Sequence, residues 1–464
     1  MTGDSHSVPP ILASLRGLVP RASRELVRVA DWWLDHSVDH ASGGYFGQVG
    51  LDGLPVAGVP LSAVLMSRIL WFFSEVSRHT GDSRYLAESR RAKAYFESSF
   101  VDPVHGGIVW QVDHEGRTVD ARKQGYAQAF AIYALAAHYR ATRDESALRL
   151  ACDLFHCVET RFGDVGFGGY WEAFAQDWTP IADVRLSEKD DHAPKTMNTH
   201  LHILEAYSEL YAAYKTPKIA AALRHCIEIH LDRIVTPDHG NLRLFLMDDW
   251  TDQSREMSFG HNIEASWLIH RGAIVLGDER IVGKARSVAL SLAESVLTEA
   301  MGPHGEVYNA RDIATGVTDE ARIWWIQAEA VVGFLNAFEI SSDPRFVRAA
   351  IASWEFIEKE IIDPHGEWRS HSRLDTELDP WWAGPWKGCY HNGRAMIEMT
   401  KRISRLMKGF NEVVKLPASN LYLHGTGRFA NALCLLAADY GNDVCLMMHQ
   451  ERQGDLRTCR LFDF

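Results

Sequence analysis

The chain has little cysteine, and what it has is unpaired in pattern. Its 464 residues hold seven Cys, none in CxxC spacing, which excludes a disulfide framework or a zinc knuckle. They read as reduced thiols and point to a cytoplasmic setting. No stretch reaches the roughly 18 uninterrupted apolar residues of a membrane span, so no membrane partner is expected. The opening "MTGDSHSVPPILASLRGLVP" lacks a cationic segment followed by a long apolar run, so no secretion signal is expected either. Positive charge is scarce: the net charge is −13 and Lys and Arg form no cluster, which argues against nucleic acid. HExxH, close Asp pairs, GxGxxG and the P-loop pattern are all missing, so neither a metal nor a nucleotide cofactor is expected. With 46% hydrophobic and 23% charged residues, the composition is that of a soluble globular protein, expected as a monomer or homodimer.

Tryptophan, by contrast, is plentiful: there are 15. Such residues gather where sugars or other flat ligands bind, but a large aromatic core is the simpler account of the count alone.

The chain also repeats. Gly-rich turns ending on an aromatic or apolar residue occur at "ASGGYFG" (41), "PVHGGIVW" (103), "VGFGGYWE" (165), "PDHGNLRLF" (237), "GPHGEVYN" (302) and "DPHGEW" (363). Recurrence at a long, nearly fixed period marks a repeat architecture. Between the turns, segments such as "LSAVLMSRILWFFSEVSRHT" and "WIQAEAVVGFLNAFEI" are apolar nearly all round, as inner helices should be. Partners such as "DSRYLAESRRAKAYFESSF" have one apolar face and open on Asp or Ser, a helix N-cap. Six such units predict an all-α fold, an (α/α)6 barrel, over residues 21–410, with an N-terminal segment at 1–20. Residues 411–464 break the period and read as a short C-terminal extension of uncertain structure, for packing or dimerisation.

Three segments carry polar groups into apolar helices. "MNTHLHILEAY" puts Asn198, His202 and Glu205 on one face, with His200 on the other. Asn198 and His202 either satisfy one another in the core or line a cavity, because an unsatisfied buried polar group costs about 1 to 3 kcal/mol. "SFGHNIEASW" puts Glu264 one turn from His261, and Trp267 one turn further. A carboxylate so placed is expected to raise the imidazole pKa and fix its tautomer, which suits a general base and also a structural pair. "WWAGPWKGCYHNGRAM" reads as a loop entering a helix near His391, with Trp381, Trp382 and Trp386 as flat faces. Arg68, in an apolar helix, either holds a substrate oxygen or bridges a core Glu. The three histidines sit in repeats three, four and six, and a ring brings such positions to one centre.

"NTHLHILEAYSELY" (198–211), "SFGHNIEASWLI" (258–269), "WWIQAEAVVGFLNAF" (324–338) and "GPWKGCYHNGRA" (384–395) resemble the cellobiose 2-epimerases of the N-acylglucosamine 2-epimerase superfamily. "RILWFFS" (68–74) and "YAQAFAIYAL" (126–135) add weaker support, and the likeness covers about residues 20 to 408. The resemblance implies an (α/α)6 barrel that inverts C2 of a reducing-end aldose, a mono- or disaccharide, without a cofactor. By motif match, His391 and His261 take the two acid/base places. His202 takes that of a third histidine, which assists ring opening or holds the opened sugar. Arg68, Tyr126, Asn198, Glu264, Trp267, Trp324, Trp325 and Trp386 match ligand-contacting positions, either of the Trp324–Trp325 pair being the one that faces the pocket. Met66, Asn262, Ile326 and Cys389 stand where the family pattern has Asn, Asp, Pro and Pro, which puts the substrate in question. Three rivals remain: an aldose–ketose isomerase, a sugar-binding protein without catalysis, and an (α/α)6 glycoside hydrolase. The hydrolase needs two facing carboxylates, for which Asp248, Asp249 and Glu329 are conceivable.

Overall fold

The computed structural model describes residues 10–188, 190–376 and 379–414, together with two short strands at 444–446 and 461–463. Twelve helices are described. Six form an inner ring: α2 (Ala63–Thr80), α4 (Gly125–Thr142), α6 (Met197–Ala213), α8 (Phe259–Leu276), α10 (Trp324–Ser341) and α12 (Tyr390–Val414). Each packs on the next, and α12 closes the ring on α2. The outer layer is α3 (Ser83–Phe100), α5 (Glu145–Cys157), α7 (Pro217–Ile229), α9 (Glu279–Glu299), α11 (Pro344–Phe356) and α1 (Pro10–His36), which packs against α12. This is the (α/α)6 barrel expected from the repeat.

The layers follow from the side chains. The first fourteen or fifteen residues of α2 and α4 are buried on every face. In α3 and α5 only one stripe is buried. The outer helices start on caps read from sequence: Asp82, Asp144, Asp278 and Asp343 each accept a backbone N–H of the first turn. Helix α1 begins at Pro10 and buries Leu12, Leu15 and Leu18, so it runs through the expected boundary at residue 20. Helix α12 likewise continues past 410, to Val414. Of the expected C-terminal extension, residues 415–443, 447–460 and 464 lie outside the described residues. The strands at 444–446 and 461–463 pair antiparallel.

The Gly-rich turns form tight hairpins at the N-terminal ends of the inner helices. Tyr45, Ile108, Tyr170, Leu242 and Val307 each bridge back antiparallel to the chain that leaves an outer helix. Gly169 shows why glycine is needed there: its φ is +81°, and a Cβ would lie 2.6 Å from the Trp250 ring.

A polar residue in the first turn of the inner helices latches these hairpins. Gln128 accepts from the Ile108 N–H (2.8 Å) and donates to the Ile108 carbonyl (2.9 Å). Gln327 does the same to Val307. His200 Nε2 takes the Tyr170 N–H at 3.0 Å, Asn262 donates to Asn241 at 2.9 Å, and Asn392 donates to Glu367 at 2.8 Å. Met66 holds the equivalent place in α2 and is buried in the hydrophobic core.

Candidate active site

Inner helices run in one sense, so their first turns share one end of the barrel. There a cavity of about 400 Å³ opens, lined by Arg68 from α2, Tyr126 from α4, Asn198 and His202 from α6 and His261 and Glu264 from α8. Trp324 and Trp325 from α10 and His391 from α12 complete the inner wall. Trp381, Trp386 and Lys387, from the loop before α12, join Ser370, His371 and Asp379 in lining the rest. Ten of the eleven residues expected from sequence line this cavity. Trp267 does not: it is fully buried behind the wall, and its indole N–H donates to Glu329 Oε2 at 3.0 Å. Trp382 also turns away, its N–H bound to the Leu51 carbonyl.

Each histidine has a definite Nδ1 partner. His391 Nδ1 lies 2.7 Å from Glu329 Oε1, and His202 Nδ1 lies 3.0 Å from Glu205 Oε2. His261 departs from expectation. Its Nδ1 meets Ser258 Oγ at 2.7 Å, not Glu264. Glu264 turns instead to Arg394, whose Nη2 donates to Glu264 Oε1 at 2.5 Å and to Glu329 Oε1 at 2.6 Å. A buried guanidinium offers more charge and better geometry than an imidazole one turn away. Arg394 also holds Glu205 Oε1 at 2.5 Å and bonds the Tyr390 hydroxyl. One arginine thus ties carboxylates from α6, α8 and α10 beneath the cavity.

The electrostatics follow. Burial pushes His261 down to about 4, the nearby Glu264 charge opposing it only in part. Burial likewise pushes His391 well below its ordinary value, against the pull of Glu264. The expected upward shift of His261 is therefore overturned: desolvation exceeds the carboxylate's effect. Burial would raise Glu205, yet Arg394, His202 and Tyr390 hold it far below the usual carboxylate range. Burial raises Glu329, with Arg394 and Trp267 opposing.

Arg68 resolves the other way from a core bridge. It is 3% exposed and makes no ion pair among the described residues. Its Nη1 donates to the Trp386 carbonyl at 2.9 Å and its Nη2 to the Tyr126 hydroxyl at 3.2 Å, while Nε has no partner. The Asn198 side-chain oxygen, buried in the wall, also has none. Both Trp324 and Trp325 face the pocket. Trp325 lies 5.0 Å from the His261 ring and 5.5 Å from His391, and Trp324 lies 5.4 Å from His391.

Glu264, Glu329 and His391 bring ligand atoms within 4.8 Å of one another, a spacing a metal ion can use. Arg394 already donates to both carboxylates, so a guanidinium takes the place of the cation. The carboxylates conceivable for a hydrolase do not come together: Asp248 and Asp249 are exposed on a hairpin turn, and both Glu329 oxygens are engaged. The four departures from the family pattern, Met66, Asn262, Ile326 and Cys389, are fully buried, and none lines the cavity. Sequence reading missed Ser258, Tyr390 and Arg394 as partners. Arg394 carried a usable signal, being a lone arginine one turn into an apolar helix face.

The comparisons agree with this architecture. Residues 44–395 match the family model of N-acylglucosamine 2-epimerase. A cellobiose 2-epimerase of Bacteroides fragilis is 38% identical over 375 residues, covering 80% of this chain and 95% of that protein. The solved cellobiose 2-epimerase of Bacillus thermoamylovorans superposes with a TM-score of 0.79 at 31% identity, over 83% of this chain and all of that one. A D-mannose isomerase shares the fold at 18% identity, with a TM-score of 0.73 over 85% of this chain and 99% of its own. The chain therefore belongs to the cellobiose 2-epimerase branch of the N-acylglucosamine 2-epimerase superfamily, a family of carbohydrate epimerases of the isomerase class.

Proposed function

We propose that the protein is a sugar 2-epimerase that needs no cofactor. It inverts C2 of a reducing-end aldose, with cellobiose going to 4-O-glucosylmannose. The observation that carries this reading is the meeting of His391, His261 and His202, from three inner helices, in one cavity walled by Trp324, Trp325 and Trp386. The names of the relatives at 34–38% identity support the disaccharide.

The chemistry explains the residues. Removal of the C2 proton from an open-chain aldose gives a planar enediolate. Return of a proton to the opposite face inverts C2. One group rarely reaches both faces of a held substrate, so two acid/base groups are needed, each contributing roughly 10²–10⁴-fold. His391, with Nδ1 on Glu329, presents Nε2 as the base. His261, within one indole of it, serves the other face. Arg68 stabilises charge growing on the C1 or C2 oxygen, and its unpartnered Nε leaves it a donor to give. His202 holds the opened chain, and the indoles hold the ring.

The test is NMR of sugar and enzyme in D2O. Deuterium entering C2 of cellobiose, with 4-O-glucosylmannose appearing, establishes the disaccharide epimerase. Exchange with free mannose alone, giving glucose, moves the substrate to a monosaccharide. Fructose means an isomerase, and no exchange removes the reading.

A further inference from the structure

We propose that Ser258 is a positioning residue that gives His261 the neutral tautomer opposite to that of His391 and His202, with its proton on the nitrogen facing the sugar. This deepens the proposed function and rests on it. The argument begins with proton counting. Glu329 already accepts from Trp267 and Arg394, and Glu205 from Arg394 and Tyr390. Both are acceptors toward their histidines, so His391 and His202 carry hydrogen on Nδ1 and leave Nε2 as a lone pair.

Ser258 differs because a hydroxyl has one hydrogen to place. It caps α8 by accepting the His261 backbone N–H, at 3.4 Å. Its remaining contact is His261 Nδ1, at 2.7 Å. The hydroxyl therefore donates to Nδ1, and the ring's own proton sits on Nε2. The pairing of Ser258 with Ala310 holds the cap in place, and Trp325 packs on the imidazole. Burial keeps the ring neutral. When His261 gains a second proton, on Nδ1, the hydroxyl turns and accepts it, and the imidazolium can give its Nε2 proton to C2 and be left neutral. His391 thus meets the substrate as the base that takes the C2 proton, and His261 as the acid whose Nε2–H is offered to the opposite face of C2.

The experiment is ¹⁵N NMR of the full chain with labelled histidine and no sugar, the three rings assigned by their loss in His261→Gln, His391→Gln and His202→Gln. The expected result is a pyrrole-type Nε2 for His261 and a pyrrole-type Nδ1 for the other two. Ser258→Ala should lose that pattern at His261 and lower turnover by about tenfold or more, with KM little changed. Ser258→Thr, which keeps hydroxyl and cap, should restore both. A pyrrole-type Nδ1 at His261 in the native protein, or an unchanged pattern in Ser258→Ala, overturns the proposal. Because the spectrum is read without substrate, absence of C2 exchange would remove the function and leave this test standing.

Discussion

His391 and Glu329 are joined across α12 and α10, Nδ1 to Oε1, at 2.7 Å. The same carboxylate takes the Trp267 indole on its other oxygen and Arg394 beside His391. Glu329 therefore has no freedom to move, and neither has the imidazole it holds. In the proposed mechanism the preorganisation of the base rests on this contact, with Trp267 acting through it from behind the cavity wall.

Glu329→Gln should cut kcat by about 10²-fold while KM for cellobiose stays near native. An amide can offer its NH2 to Nδ1, which turns the useful lone pair away from the sugar. Steady-state kinetics decide it, and an unchanged kcat would show that the carboxylate is only structural.

His391→Ala and His261→Ala should each lower turnover by about 10²–10⁴-fold with circular dichroism unchanged. Robust activity in either variant would end the two-histidine scheme.

Trp386 is 41% exposed and lies at the mouth of the cavity. Trp386→Ala should raise KM for cellobiose several-fold more than KM for mannose, because loss of an aromatic face removes about 1 kcal/mol of contact from the outer sugar. Equal change for both sugars would place Trp386 against the reducing end instead.

Acid should weaken the fold before it touches most carboxylates. Burial lowers His200 to about 3 and His138, His230 and His261 each to about 4. Unfolded, these groups titrate near their ordinary value of about 6.5. Between those limits the unfolded chain binds more protons, so stability falls as pH falls from 6.5 towards 4. Each group contributes up to about 1.4 kcal/mol per pH unit in that window. Thermal melts at pH 7, 6 and 5 should show a falling Tm, and His230→Gln should flatten the slope. A flat Tm would mean that these histidines protonate freely in the folded state.

Met66→Asn should leave the preference between cellobiose and mannose unchanged, since Met66 faces the core and not the cavity. It should cost about 1–3 kcal/mol if the new amide finds no hairpin to latch. A denaturant melt gives the cost, and a changed sugar preference would contradict the placement.

Much of this was legible in the chain itself. Three of the six Gly-rich turns share a physical cause: at Gly107, Gly169 and Gly366 the chain reverses under an indole, which leaves no room for a Cβ. The alternation of all-round apolar helices with one-faced helices is a direct record of two layers. His391, His261 and His202 could be placed on one centre because a closed ring of similar units brings equivalent positions together. The start of α1 at Pro10 was harder to see, since it precedes the first Gly-rich turn and pairs with α12 at the far end of the sequence.

Local spacing decided which residues share a helix face, and tertiary packing decided who their partners are. Glu264 is one turn from His261 in sequence, yet it belongs to Arg394, 130 residues away. A buried carboxylate goes to the strongest donor within reach, and that donor comes from another helix. The sequence alone determined the barrel, its repeat and the histidines that meet in it. Only the folded ring determined that Glu329 holds His391 and that Arg394 draws Glu264 away from His261, because hydrogen-bond partners across helices are set by distance in space, which no periodicity along the chain records.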